Sequence, residues 1–174
     1  MLKEMIPKGL KVGVLWDAKA PGPPIAANEY KTVARALKIP LQPLEVQGPN
    51  PDLEGAFKLS TKNGANALIV IRNPIMRRNL KSIADLAIKN RLISMGEGSS
   101  YVEAGLLMSY AADEADQYKR AALYVDKILK GRNPADLPVE QPMKFDLVIN
   151  LKTANEIGVT IPEWTLMKAT QVVK

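Results

Sequence analysis

The chain contains no cysteine and no histidine. Without cysteine there is no disulfide, no thiolate nucleophile and no thiolate metal ligand. Without histidine there is no Ser-His-Asp or Cys-His system and no imidazole ligand. Carboxylates, lysines, tyrosines and backbone dipoles are left as the chemical inventory. Aromatics are scarce, at 5% of 174 residues, so a core drawn from the 47% hydrophobic fraction must be mostly Leu, Ile, Val, Ala and Met. No apolar run approaches the ~20 residues of a membrane span. The opening MLKEMIPKGLKVGVLWD does not read as a secretory signal, which needs about 7–15 apolar residues in series. Lys3, Glu4, Pro7, Lys8, Gly9 and Lys11 interrupt every such run.

Twenty-four basic and 18 acidic residues give a formal charge of +6. The basic residues are scattered, with one Arg pair at Arg77-Arg78, and no aromatics are interleaved with them as a single-strand stacking platform requires. A basic surface is expected, and no nucleic-acid binding.

KVGVLW (11–16) is apolar on both faces, which suits a central parallel strand. DAKAPGPP (17–24) reads as a loop. Residues 25–37 are helical in pattern, with Ala26, Tyr30, Val33, Ala34 and Leu37 on one face. LQPLEV (41–46) is a strand whose Pro43 lacks a ladder donor, so it belongs at a sheet edge. Residues 51–64 form a helix begun by Pro51-Asp52 and stopped at Gly64. ALIVIRN (67–73) is a buried strand ended by Pro74. A helix over 77–89 follows, then a strand at 92–96 and a loop with one helical turn at 97–105. A fifth strand, 106–111, leads into an amphipathic helix over 114–130, with an inward stripe of Tyr118, Ala121, Ala122, Val125, Ile128 and Leu129. RNPADLPVEQPM (132–143) is an extended connector. KFDLVIN then reads as one more strand, followed by a short helix and a loosely amphipathic tail.

Strands alternating with helices imply right-handed βαβ crossovers. The fold class expected is α/β, a doubly wound five-stranded parallel sheet of order 2-1-3-4-5 with helices on both faces. Its functional site lies beyond the carboxyl ends of the strands, at 16–20, 73–76, 96–101 and 110–113. GEGSSY places Tyr101 where G-x-G-x-x-G needs its third glycine, follows the fourth strand rather than the first, and carries Glu97 where a pyrophosphate would sit. No Walker-type loop is present. Glu97 and Glu103 both fall near the cleft, but no nucleophile or activating base accompanies them, so no catalytic residue is assigned. Tyr101 and Tyr110 suit either a pocket wall or packing. Trp16 ends a central strand as cleft wall or core, and Asp17 is either a cap or a ligand contact.

The runs KVGVLWDAKAP, ALIVIRNP, YVEAGLLMSYA and RAALYVDKILKGRNPADLPVEQPMKFDLVINLKTANEIGVTIP together closely resemble one family. It is the substrate-binding proteins of ABC transporters with the type I periplasmic-binding-protein fold, in the branch associated with tryptophan and other amino acids. The resemblance covers nearly all of the chain, and YVDKILKG, ADLPVEQP and F-x-L-V-I-N-L-K-T-A are long, specific matches. It implies a non-enzymatic receptor without a cofactor, in which two α/β lobes close on a small amino-acid-like solute and deliver it to an ABC permease. It also implies a periplasmic or extracytoplasmic location, although no signal is read in this chain.

What matches is the second lobe and a final returning segment. The resemblance therefore divides the chain into 1–112, the cleft lobe, and 113–174, a crossover helix, connector, returning strand and tail that belong to a missing first lobe. By resemblance Asp17, Asn73, Glu97 and Tyr101 face the cleft. Trp16 and Tyr110 complete the candidate ligand-binding set. The family often has Asn near the place of Asp17, Asp-Pro at Asn73-Pro74 and Gly at Ala111; these departures leave the ligand open. A homo-oligomer through 114–151 is expected, with the strand at 145–151 pairing with a second copy rather than folding back. The alternative function is an oligomerising α/β domain without transport activity.

Overall fold

The computed structural model describes residues 2–6 and 8–174. Pro7, one of the residues that break the opening segment, lies outside the described residues. A short helix α1 (Leu2–Met5) precedes β1 (Val12–Asp17), α2 (Pro23–Ala36), β2 (Leu41–Val46), α3 (Leu53–Lys62) and β3 (Ala67–Val70). Then come α4 (Pro74–Arg78), α5 (Leu80–Lys89), β4 (Ile93–Gly96), α6 (Ser99–Glu103) and β5 (Met108–Ala112). The last third holds α7 (Glu114–Leu129), β6 (Phe145–Asn150), α8 (Leu151–Ile157), α9 (Glu163–Met167) and β7 (Gln171–Val173).

The sheet runs β2-β1-β3-β4-β5-β6-β7, with seven strands among the described residues. Its first five strands are parallel and follow the expected 2-1-3-4-5 order. β2 is an edge strand, so Pro43 costs no ladder bond on its free side. The crossovers put helices on both faces, and each face has its own core. Val12, Val14, Trp16, Ala27, Ala154 and Ile157 pack on one side. Leu15, Phe57, Leu68, Ile83, Ala84, Ala87 and Tyr101 pack on the other. Gly13 lets the sheet and α3 meet: a Cβ there would lie 2.8 Å from Leu44 Cδ1 and 2.9 Å from Ser60 Oγ.

The C-terminal strand corrects an expectation. β6 does not await a second copy; it lies antiparallel along β5, from Met108 opposite Ile149 to Ala112 opposite Phe145. Without it β5 would present a row of unpaired backbone groups. Leu147, Val148, Ile149 and Asn150 are buried by this pairing. β7 adds a further parallel strand on β6, where a loose tail was expected. The segment 145–174 thus contributes β6 and β7 to this sheet. Asn150 locks the corner: its N–H donates to the Leu107 carbonyl at 2.8 Å, and its Oδ1 accepts from the Thr153 N–H at 3.0 Å to cap α8.

Two helical faces also differ from expectation. In α2 the buried residues are Pro23, Ala27 and Ala34, while Val33 and Leu37 are exposed. The helix begins two residues earlier than the pattern indicates, because proline is tolerated in a first turn that needs no N–H donor. In α7 no residue is buried. Its apolar stripe is real but faces outward, with Tyr118 76% and Leu129 82% exposed.

Candidate functional site

The four parallel strands β1, β3, β4 and β5 end at one edge of the sheet, and the switch point falls between β1 and β3. Over this edge lie two adjoining hollows that share Arg72, Glu114 and Gln117. The larger, about 580 Å³, is bounded by Asn73, Pro74, Arg77, Tyr118 and Ala121. The smaller, about 250 Å³, is bounded by Tyr30, Glu97, Tyr110, Ala111 and Ala112. Arg72 stands between them, its Nη1 2.7 Å from Glu114 Oε1. Both side chains are about half exposed, so the pair contributes little stability and can rearrange.

Each side chain is placed by local structure. β3 stops at Val70, which frees Arg72 and Asn73 from the ladder. Asn73 then caps α4, with Oδ1 accepting from the Met76 N–H at 2.7 Å. The residue is 6% exposed, and its Nδ2 has no partner among the described residues. Glu97 follows β4 and accepts a hydrogen bond from the Tyr30 hydroxyl at 3.3 Å. Burial, reinforced by the charge of Glu97, pushes the Tyr30 phenol up to about 12. Asp113 caps α7 by accepting from the Asp116 N–H at 3.0 Å, which sets Glu114 and Gln117 at the rim.

The six sequence candidates separate into two groups. Asn73, Glu97 and Tyr110 line the hollows. Tyr110 is 43% exposed and stacks on Phe145, with ring centroids 5.4 Å apart, a diagonal contact across β5 and β6, where Tyr110 itself stands opposite Leu147. Trp16, Asp17 and Tyr101 are buried below the rim and line neither hollow. Trp16 sits in the first core with Lys31 Nζ 5.9 Å from its ring centroid. Asp17 Oδ1 accepts from the Lys19 N–H at 3.0 Å and shapes the turn after β1. Tyr101 packs against Gly96, and its hydroxyl has no partner among the described residues. Its pKa is also raised, chiefly by burial and then by Glu97. Glu103, paired with Glu97 on sequence grounds, is exposed and lines neither hollow.

Sequence reading missed Tyr30, Arg72, Glu114 and Gln117. Arg72 and Glu114 adjoin the flagged strand ends and carried that signal by position. Tyr30 was assigned to a core-facing stripe, and only the fold brings it to Glu97, 67 residues away.

Next to the larger hollow, with which it shares Gln117 and Ala121, α7 and the connector enclose a third groove of about 630 Å³, lined also by Tyr124, Ile128, Leu137, Pro138 and Val139. The connector is held to α7 by the Tyr124 hydroxyl on the Pro138 carbonyl and by Arg120 on Glu140.

No curated protein matches the chain. A conserved domain protein of Vibrio cholerae is 26% identical, with a TM-score of 0.85 over 98% of this chain and 57% of its own. The ABC domain from Streptococcus pneumoniae in complex with L-Trp is 24% identical, with a TM-score of 0.85 over 99% of this chain and 59% of its own. A ligand-free, open substrate-binding protein with adhesive properties from Clostridium difficile is 17% identical, with a TM-score of 0.78 over 99% and 57%. The chain thus spans less than three-fifths of the length of these structures. The family model for ABC transporter substrate binding protein matches residues 1–173. The chain belongs to the ABC transporter substrate-binding protein family.

Proposed function

We propose that the chain forms one wall of the solute cleft in the receptor of an ABC importer, binds an amino-acid-like solute without chemically changing it, and works outside the cytoplasm with an ABC permease. The observation that carries this reading is the charged, open rim beyond the carboxyl ends of β3, β4 and β5. Arg72, Arg77, Glu97 and Glu114 surround shallow hollows there, with no recognisable nucleophile and base set among them. Such a rim touches a ligand from one side only. A good small-molecule site covers about 70–90% of its ligand, so an opposing wall is needed for tight binding. Hinge closure of two lobes supplies one. The L-Trp bound to the pneumococcal relative supports an amino acid as the solute class.

The uncovered faces support the same reading. Tyr118, Leu123, Val125 and Leu129 of α7, with Val139 and Met143 of the connector, are more than half exposed. Exposed apolar side chains in this number along one helix and its connector mark a contact. We assign it to the opposing lobe; a second copy of the chain is the alternative occupant, and light scattering separates the two.

The reading is tested by calorimetric titration of the chain with the twenty L-amino acids. The expected result is dissociation constants in the millimolar range, on the order of −4 kcal/mol or weaker. Micromolar binding by the monomer would show that the rim needs no opposing wall.

A further inference from the structure

We propose that the edge of the sheet opposite the cleft, where the parallel strands begin, docks on an anionic lipid bilayer. The topology gathers a row of cations along that edge.

The register fixes the row. Val12, Leu41, Ala67 and Ile93 lie at one level of β1, β2, β3 and β4. Lys11 therefore stands at the start of β1, and Lys38 in the turn before β2. Lys62 ends α3 just before β3, and Lys89 and Arg91 lie at the end of α5 and in the turn before β4. β6 runs the other way, so Lys152, in the first turn of α8, emerges at the same edge. At a strand spacing of about 4.8 Å, the row from β2 to β6 extends over about 24 Å. Lys38, Lys62, Lys89, Arg91 and Lys152 are exposed. None of the row has an ion-pair partner among the described residues. Lys11 Nζ donates to the Asn63 carbonyl at 2.5 Å, which ties the start of β1 to the turn before β3. Glu103, at the end of α6 before β5, is an acid at a matching position.

Two of these cations hold a backbone conformation that favours glycine. α2, α3 and α5 close alike: the N–H groups of Lys38, Gly64 and Arg91 donate to the carbonyls of Arg35, Thr61 and Ile88. Their φ angles are 54°, 75° and 51°. The turn before β3 uses glycine, the ordinary residue for this position, whereas the turns before β2 and β4 keep a long basic side chain there. A cation in the last helical turn complements the helix dipole, which accounts for Lys62 and Lys89. It does not account for strain accepted just beyond the helix at Lys38 and Arg91. Strain kept at an exposed position points to a use for the side chain.

The occupant follows from the chemistry of the edge. A second copy would bring like charge against like. A nucleic acid strand calls for stacking side chains, and no Tyr, Trp or Phe flanks any of these cations. Leu37, about half exposed, stands beside Lys38. An apolar side chain next to a cation suits the boundary between headgroups and acyl chains. A row of unpaired Lys and Arg fits the negative surface of a bilayer. Docked by this edge, the protein leaves the rim at the opposite edge open.

The test is co-sedimentation of the whole chain with vesicles of phosphatidylglycerol and phosphatidylcholine, or of phosphatidylcholine alone, in about 0.05 M and about 0.5 M salt. Binding is expected on the anionic vesicles in low salt, and not on the neutral vesicles or in high salt. Lys38→Gly/Arg91→Gly removes two charges and relaxes both turns. It is expected to weaken vesicle binding at least about tenfold, while the urea unfolding midpoint holds or rises. Arg78→Ala/Lys119→Ala takes the same charge from α4 and α7 and is expected to change binding less than about twofold. No binding to anionic vesicles, equal losses in the two variants, or a lower midpoint in the glycine variant overturns the proposal. A short DNA duplex bound as tightly as the anionic vesicles overturns the lipid as occupant. Amino-acid titration is read separately, so failure of the solute reading leaves the vesicle result to stand by itself.

Discussion

Replacing Gly96 with alanine tests the floor of the cleft. A Cβ at this position would lie 2.5 Å from Tyr101 Cγ, 2.6 Å from Cδ1 and 2.7 Å from Cβ. Relaxed carbon–carbon contacts sit at about 3.5–4.0 Å, so the overlap is about 1 Å. The ring cannot swing aside. Tyr101 is wholly buried, in the same core as Met76, Ile83 and Leu106, none of which is exposed. One of the clashing atoms is the tyrosine's own Cβ, which moves only with the α6 backbone. Overpacking of this kind costs about 1–3 kcal/mol, and the close backbone-linked contact argues for the upper half. The assay is urea unfolding with the slope held as a check on two-state behaviour. Tyr101→Ala alone opens a cavity and costs about 3–5 kcal/mol. In the double variant the new methyl group occupies part of that space, so the combined loss falls short of the sum by about 1 kcal/mol. A loss below about 0.5 kcal/mol for Gly96→Ala alone would refute the packing of Tyr101 on Gly96.

Further outcomes follow from the same geometry. Ile149→Ala removes a wholly buried side chain of β6 and is expected to cost about 2–5 kcal/mol in urea unfolding; a neutral result contradicts the place of β6 in this core. Asn150→Ala removes the cap of α8 and is expected to cost about 0.5–2 kcal/mol, with the loss of helical signal on partial unfolding concentrated at 151–157. Tyr30 is held protonated to about pH 12 when folded and titrates near 10 when unfolded. The folded state then binds the proton more tightly. Its contribution is complete below about pH 10 and is lost as pH rises toward 12, with Tyr101 acting in the same direction. Denaturant midpoints between pH 9 and 12 should fall, and less so in Tyr30→Phe. Arg72→Ala breaks an exposed ion pair and is expected to change stability by less than about 1 kcal/mol, read from the same unfolding curves.

Much of the fold was legible because the relevant signals are local. β2 was bounded at 41–46 and placed at an edge by Pro43 alone. The alternation of strands with helices gave the order of the first five strands. What failed depends on partners distant in sequence. The Phe145–Asn150 strand was visible, but its choice of β5 over a second copy is a tertiary decision that no period encodes. β7 is three residues long and is a strand only because β6 lies beside it. Periodicity found the apolar stripe of α7 but carries no sign for inward or outward, and that stripe is uncovered. Of the candidates named from their place at strand ends, Asn73, Glu97 and Tyr110 border the hollows. Trp16 and Tyr101 were ambiguous because an aromatic at a strand end suits a cleft or a core equally, and here both are buried.

The central claim is that the rim at the strand ends is the solute-contacting wall of a substrate-binding protein. The most direct measurement maps amide shifts across the chain on titration with L-amino acids. The account predicts that responding residues cluster at Arg72, Asn73, Arg77, Glu97, Tyr110 and Glu114, with affinity no tighter than about 0.1 mM, on the order of −5.5 kcal/mol. Shifts confined to another surface, or micromolar affinity in the monomer, would contradict it.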